Sequence, residues 1–136
     1  REISALASWT VSTHKPGCGV AALRNPSPSQ YWQSDGPQPH TLTLHFFKLV
    51  AIVRIRVYLD FEMDESYTPT KMTFLAGMGG NDLVEFACWE GEGPGGWVDN
   101  DDPYAGNVLK AMVVQMRVIE NHQNGKDTHV RGFQVF

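Results

Sequence analysis

The segment Val53-Arg54-Ile55-Arg56-Val57-Tyr58-Leu59 alternates apolar and polar side chains. On an extended backbone successive side chains point to opposite faces, so the pattern places Val53, Ile55, Val57 and Leu59 inward and both arginines outward. Thr41-Leu42-Thr43-Leu44-His45-Phe46 repeats it, with Leu42, Leu44 and Phe46 on one face and His45 exposed on the other. Strands buried on one face only are the units of antiparallel sheets. Working outward, Lys71 to Leu75, Leu83 to Trp89, Val108 to Ile119 and Val130 to Phe136 read as further strands. Inside the longest run, Met112, Val114, Met116 and Val118 alternate with Val113, Gln115, Arg117 and Ile119.

The segments between these runs carry turn chemistry. Asn25-Pro26-Ser27-Pro28-Ser29 and Asp35-Gly36-Pro37-Gln38-Pro39 hold two prolines each, and Gly91 to Gly96 is mostly glycine. Thirteen glycines and eight prolines placed as punctuation between short β-rich runs predict an all-β sandwich or barrel of about eight strands. One helical turn is expected around Ala21 to Arg24, where alternation is missing. The aromatic pair Tyr31-Trp32, just before a turn, is expected to pack at the sandwich edge.

At 136 residues the chain has room for one domain, taken as 1–136, and 42% hydrophobic content is enough to fill its core. The net charge of -4 opposes a sequence-independent grip on phosphate backbones, so no nucleic-acid partner is expected. The longest apolar stretch, Leu49 to Leu59, is interrupted by Arg54 and Arg56, so no membrane partner is expected either. Cys18 and Cys88 form neither a disulfide framework nor a zinc pattern. The one glycosylation-like triplet, Asn25-Pro26-Ser27, carries the forbidding proline. The nucleus and cytoplasm are the expected compartments. Acids crowd Asp60 to Glu65 and Asp82 to Asp102, and no Lys or Arg lies between Lys71 and Lys110, which predicts an acidic flank suited to basic surfaces.

Catalytic and metal motifs fare poorly. Gly91-Glu92-Gly93-Pro94-Gly95-Gly96 fits GxGxxG, but no helix pattern follows to cradle a phosphate, and a flexible hairpin loop is the better reading. Asp99, Asp101 and Asp102 lack the Gly and Glu of an EF-hand loop. An irregular calcium site there, or around Asp60, Glu62, Asp64 and Glu65, is the alternative to solvated carboxylates, which we prefer; no metal and no cofactor are expected. There is no GxSxG elbow and no HExxH helix. Ser66, His122 and Asp127 lack the spacing of a known nucleophile, so no catalytic residue is assigned. His14 and His40, beside prolines, read as loop or core-edge hydrogen bonders.

The ten residues Glu120-Asn121-His122-Gln123-Asn124-Gly125-Lys126-Asp127-Thr128-His129 form a polar loop longer than a simple hairpin needs. Amides that both donate and accept suit the backbone of an extended peptide or the hydroxyls of a sugar. A second polar elbow, Asp64-Glu65-Ser66-Tyr67-Thr68-Pro69, follows the Leu59 strand. If both open at one end of the sandwich, they form one binding rim.

Several of these stretches also carry a resemblance. Arg1-Glu2-Ile3, Lys15-Pro16-Gly17-x-Gly19-Val20 with Leu23-Arg24, Tyr31-Trp32-Gln33-Ser34-Asp35-Gly36 with Gln38-Pro39-His40, the Asp64–Pro69 elbow and N-H-Q-N-G-K-D-T-H-V-R from Asn121 to Arg131 recur in order. Together they resemble the Doc (destruction of cyclin) domain family, most closely the Doc subunits of the anaphase-promoting complex. The resemblance implies a jelly-roll β-sandwich similar to galactose-binding domains. It implies a non-catalytic role in a ubiquitin ligase, where the domain joins a WD40 activator in receiving destruction-box peptides and promotes processive ubiquitination during the cell cycle. The family's degron-facing positions carry over onto Ser66 and Asn124, with Tyr67, Asn121, His122 and Gln123 matching the same two loops. Other ligase subunits are the further partners implied; the family's Ile-Arg docking tail is not among residues 1–136. Two alternatives stay open: a Doc domain of a larger ubiquitin ligase, and a glycan-binding sandwich. Against the second, the 120–129 loop has no Phe, Tyr or Trp to stack on a sugar.

Overall fold

The structure, a computed structural model, describes residues 1–101 and 109–136, with the backbone alone at 100 and 101. Among the described residues ten strands and two short helices follow in the order β1 (Ala7–Val11), α1 (Val20–Arg24), β2 (Trp32–Gln33), β3 (His40–Ile52), β4 (Arg54–Asp60), α2 (Phe61–Asp64), β5 (Pro69–Gly77), β6 (Val84–Glu90), β7 (Gly95–Asp101), β8 (Leu109–Asn121), β9 (His129–Val130) and β10 (Gly132–Val135). Every strand pairing is antiparallel. One sheet runs β1-β3-β8-β5-β6, a second runs β10-β4-β7, and β2 with β9 forms a separate short pair.

The alternation that predicts these strands also builds the core. Leu42, Leu44 and Phe46 of β3, Met72 and Phe74 of β5, and Val114, Met116 and Val118 of β8 meet Ile55, Val57 and Leu59 of β4 and Phe133 and Val135 of β10 in one buried cluster. Apolar area removed from water along both inner faces is what holds the layers together, at about 25 cal/mol per Å2. The architecture is the all-β sandwich expected.

Several expectations change in detail. β3 runs on past Phe46 to Ile52, its pairing with β8 resuming at Val50 after a register shift between His45 and Val50. Phe47 keeps the alternation and faces outward, 83% exposed, and the period breaks after it, with Lys48 and Leu49 both exposed before Val50 turns inward. Val53, expected inward, is exposed: it sits in the break between β3 and β4, where its N–H donates to the Phe136 carbonyl at 2.7 Å. The Gly91–Gly96 stretch is not a hairpin loop. Residues 91–94 carry the chain from one sheet to the other, and Gly95 and Gly96 open β7.

Trp32 is fully buried core rather than edge, with its indole N–H donating to the Thr13 carbonyl at 2.8 Å. The Val130–Phe136 run divides into β9 and β10, which belong to different sheets. Of the acidic cluster at 99–102, Asp102 and the Asp101 side chain lie outside the described residues, as does Val108. Asp99 is committed to ion pairs with Arg54 and Arg56 at 2.8 and 2.9 Å.

Candidate functional site

The end of β4 sets the site. Asp60 caps α2, its Oδ1 accepting from the Met63 N–H at 3.2 Å. One helical turn later the chain delivers Asp64 into the interior, where it is 3% exposed. Such a charge needs partners. Arg131 supplies a two-pronged contact, Nε to Oδ2 at 2.9 Å and Nη2 to Oδ1 at 2.7 Å, and Nδ1 of His129 meets the same Oδ1 at 2.8 Å. Burial works to raise the Asp64 pKa, but hydrogen bonds and charge from Arg131 and His129 outweigh it and hold the carboxyl below its ordinary range.

The remaining contacts close around this pair. Arg131 also donates to the Pro28 carbonyl at 2.6 Å. His129 lies between the rings of Tyr31 and Tyr67, each with its centroid 4.2 Å away, and its Nε2 meets Gln33 Oε1 at 2.9 Å. Asp64 is therefore neither a solvated carboxylate nor a calcium ligand, since both its oxygens are occupied by Arg131 and His129. Sequence reasoning missed this anchor because it grouped Asp64 with its acidic neighbours. The available signal was His129-Val130-Arg131, which places a histidine and an arginine on one face of an extended segment; an inward-facing arginine requires a carboxylate.

Directly after Asp64, Glu65 takes a left-handed conformation (φ 49°) and starts a 3-10 turn, Glu65–Tyr67. At the end of β8 a second 3-10 turn, His122–Asn124, carries left-handed Gln123 (φ 53°) and Asn124 (φ 58°). The two turns are neighbours. The His122 N–H donates to the Thr68 carbonyl at 2.9 Å, and Thr128 Oγ1 donates to the Tyr67 carbonyl at 3.4 Å. Gly125 lies so close to the first turn that a Cβ there would stand 1.9 Å from the Ser66 carbonyl oxygen. Its own carbonyl accepts from Asn121 Nδ2 at 3.2 Å and Gln38 Nε2 at 3.1 Å. Asn121 Nδ2 also reaches the Asp127 carbonyl at 2.9 Å, and the His40 imidazole bonds the Lys126 carbonyl.

The structure thus brings the two polar elbows together at one end of the sandwich, but divides the six candidate residues. Gln123, Asn124 and Tyr67 are exposed and Ser66 is half-buried, so these four can meet a ligand. His122 is half-buried with its ring edge-on to Phe61, centroids 4.6 Å apart. Asn121 departs from expectation: it is 5% exposed and its amide nitrogen braces the loop, so it shapes the rim from beneath. His40, fully buried, braces the loop in the same way. Among the described residues the side chains of Ser66, His122 and Asp127 share no hydrogen bond. The rim offers hydroxyl, amide and phenol groups around locked backbone, an arrangement suited to holding polar atoms of an extended ligand.

Residues 1–136 match the family model described as "Anaphase-promoting complex, subunit 10". This chain belongs to that family. Relatives of that name agree with it along nearly its whole length. The Dictyostelium discoideum protein is 41% identical over 135 residues, covering 99% of this chain and 72% of that protein. The Drosophila melanogaster protein is 42% identical, covering 99% and 70%, and the Homo sapiens protein is 38% identical, covering 100% and 74%. The Doc-family resemblance read from the residues is borne out. Solved structures of similar shape include a CBM32 domain from Clostridium perfringens in complex with GalNAc-β-1,3-galactose, at TM-score 0.83 and 14% identity, covering 100% of this chain and 99% of that one. A family 32 carbohydrate-binding module from the NanJ protein of C. perfringens, in complex with galactose, matches at TM-score 0.81 and 10% identity over 98% and 96%. At such identities the likeness is one of fold, the galactose-binding-like jelly roll.

Proposed function

We propose that this protein is a non-catalytic subunit of the anaphase-promoting complex, acting in the nucleus and cytoplasm as a co-receptor for destruction-box peptides beside a WD40 activator. The observation that carries the reading is the pairing of two polar turns, locked at Ser66 and Gly125, which sets Ser66, Tyr67, Gln123 and Asn124 on one rim at the end of a rigid sandwich. A few hydrogen bonds to neutral polar groups give weak affinity, each worth about 0.5–1.5 kcal/mol net. A second grip on the same peptide by the activator raises the total through effective concentration, which lengthens substrate dwell and promotes processive ubiquitination.

The test is the double change S66A/N124A in a reconstituted ligase with its activator. Ubiquitin chains per binding event and substrate dwell time should fall while the variant still assembles. Unchanged dwell time would sink the assignment of these loops. The sugar ligands of the similarly folded modules motivate a second reading as a glycan binder. A glycan array with no ligand above background removes it.

A further inference from the structure

The end of the sandwich away from the rim carries a run of exposed apolar side chains. β3 starts at the rim with His40 and runs away from it to Ile52, and β5, starting at Pro69 beside Asn121, hands over to β6 at the same far end. Toward that end Leu6, Phe47, Leu49, Val53, Met78 and Val84 are all exposed. Phe47 is the most prominent, 83% exposed on the outward face of the five-stranded sheet, and the pairing of Ala7 with Phe46 brings Leu6 alongside it. An open groove of about 420 Å3 lies against Phe47, with Thr10, Thr43, His45 and Met112 among its walls. Single exposed apolar residues need no explanation. A phenylalanine standing clear of the surface beside further apolar side chains and a groove has the make-up of an interface core.

The surrounding charges are an independent observation and bear on what covers this surface. β1, β3 and β8 are neighbours in the sheet, and their one acid is Glu120, at the rim end, although the whole chain carries a net charge of -4. The same strands hold Lys48, Lys110 and Arg117. Acids gather elsewhere, with Glu90, Glu92 and Glu120 beside the rim. Lys48 follows Phe47, and Lys110 pairs with Ala51 further along the same two strands. Both are exposed and make no ion pair among the described residues. An apolar knob flanked by two ammonium groups matches an apolar recess flanked by carboxylates. A second copy is a poor match, because a twofold contact through this patch would bring each lysine toward its own counterpart. Occupation of the far end also leaves Ser66, Tyr67, Gln123 and Asn124 open to a peptide.

We infer that this end of the sandwich is the seat by which the protein is held in the anaphase-promoting complex, Phe47 entering an acid-flanked apolar recess of another subunit. This rests on the subunit reading above and is independent of the degron reading. The assay is the Kd of the full-length protein for the ligase assembled without it, measured by biolayer interferometry. Phe47→Ala should weaken docking about ten- to hundredfold, the scale of burying one phenylalanine side chain. K48E/K110E should weaken it about three- to tenfold and flatten its dependence on salt. S66A/N124A should dock as wild type does. The Phe47 and lysine variants should melt with wild type, since these side chains are exposed; loss of docking through loss of fold would overturn the reading. If wild type docks and Phe47→Ala docks equally well, the seat lies elsewhere and the subunit reading stands. If wild type does not dock, both fall. If wild type sediments as a dimer that Phe47→Ala dissociates, a second copy covers the patch and the inference is overturned.

Discussion

The close approach at Gly125 yields a sharp test of whether the two turns are one rigid unit. Gly125 has φ -56° and ψ 146°, a conformation open to any residue, so space alone demands glycine there. In Gly125→Ala the new Cβ would stand 1.9 Å from the Ser66 carbonyl oxygen and 2.9 Å from its carbon, both backbone atoms that no rotamer change can move. The turns must part by about an ångström, at the upper end of the ~1–3 kcal/mol typical of overpacking. That shift also strains the Asn121 and Gln38 bonds to the Gly125 carbonyl, each worth about 1 kcal/mol. The reduced freedom of the unfolded chain offsets only about 0.4–1 kcal/mol. A net loss of about 2–4 kcal/mol lowers the melting temperature by on the order of 10 °C. Differential scanning calorimetry beside Gly80→Ala, where a Cβ would meet nothing within 4 Å, is the assay. If the two variants melt together, the locked-turn reasoning is wrong.

Further predictions concern the anchor, the core and the rim. Asp64→Asn leaves Arg131 buried without its counter-charge and should cost about 3–5 kcal/mol at neutral pH in urea titration. Because the folded Asp64 pKa lies below its ordinary 3.8, its contribution is fully present above that value and is lost as pH falls through the folded pKa. The gap between wild type and variant should therefore narrow only below about pH 4; a gap constant down to pH 2 would refute the ion-pair reading. Trp32→Ala should cost about 3–5 kcal/mol, against about 1 kcal/mol for the hydrogen bond to Thr13 that Trp32→Phe gives up on top of its smaller packing loss. Equal losses would show that Trp32 is not the core residue described. S66A/N124A should cost about 1–2 kcal/mol, because alanine tolerates the left-handed φ of 58° at Asn124 less well than asparagine does; a loss well above that range would mean these side chains support the fold.

Where one face of a strand is dry and the other wet, the period of two is visible in the residues, and β4 and the first half of β3 were legible for that reason. β1, β2 and β9 were not, because Ala7–Val11 is partly hidden by polar residues and the other two are only two residues long. β7 was obscured by its opening glycines. Lys48 and Val53 broke the pattern because a register shift and a strand break interrupt the pleat there. At the site, the two polar elbows stood out as sequence, and Ser66, Gln123 and Asn124 are where a ligand can reach them. Asn121 has the same chemistry two residues away, yet it is buried; composition cannot separate an amide that holds a loop from one that presents to solvent.

By itself the sequence determined the all-β class, the positions of the polar turns and the family, since each is written in local order along the chain. Only the tertiary structure decided that Asp64 meets Arg131 and His129 some 65 residues away, that Gly125 seats on Ser66, and that Glu90, Glu92 and Glu120 gather beside the rim. Those are contacts between segments far apart in the chain, and they exist only once burial of both sheet faces has brought the strand ends together.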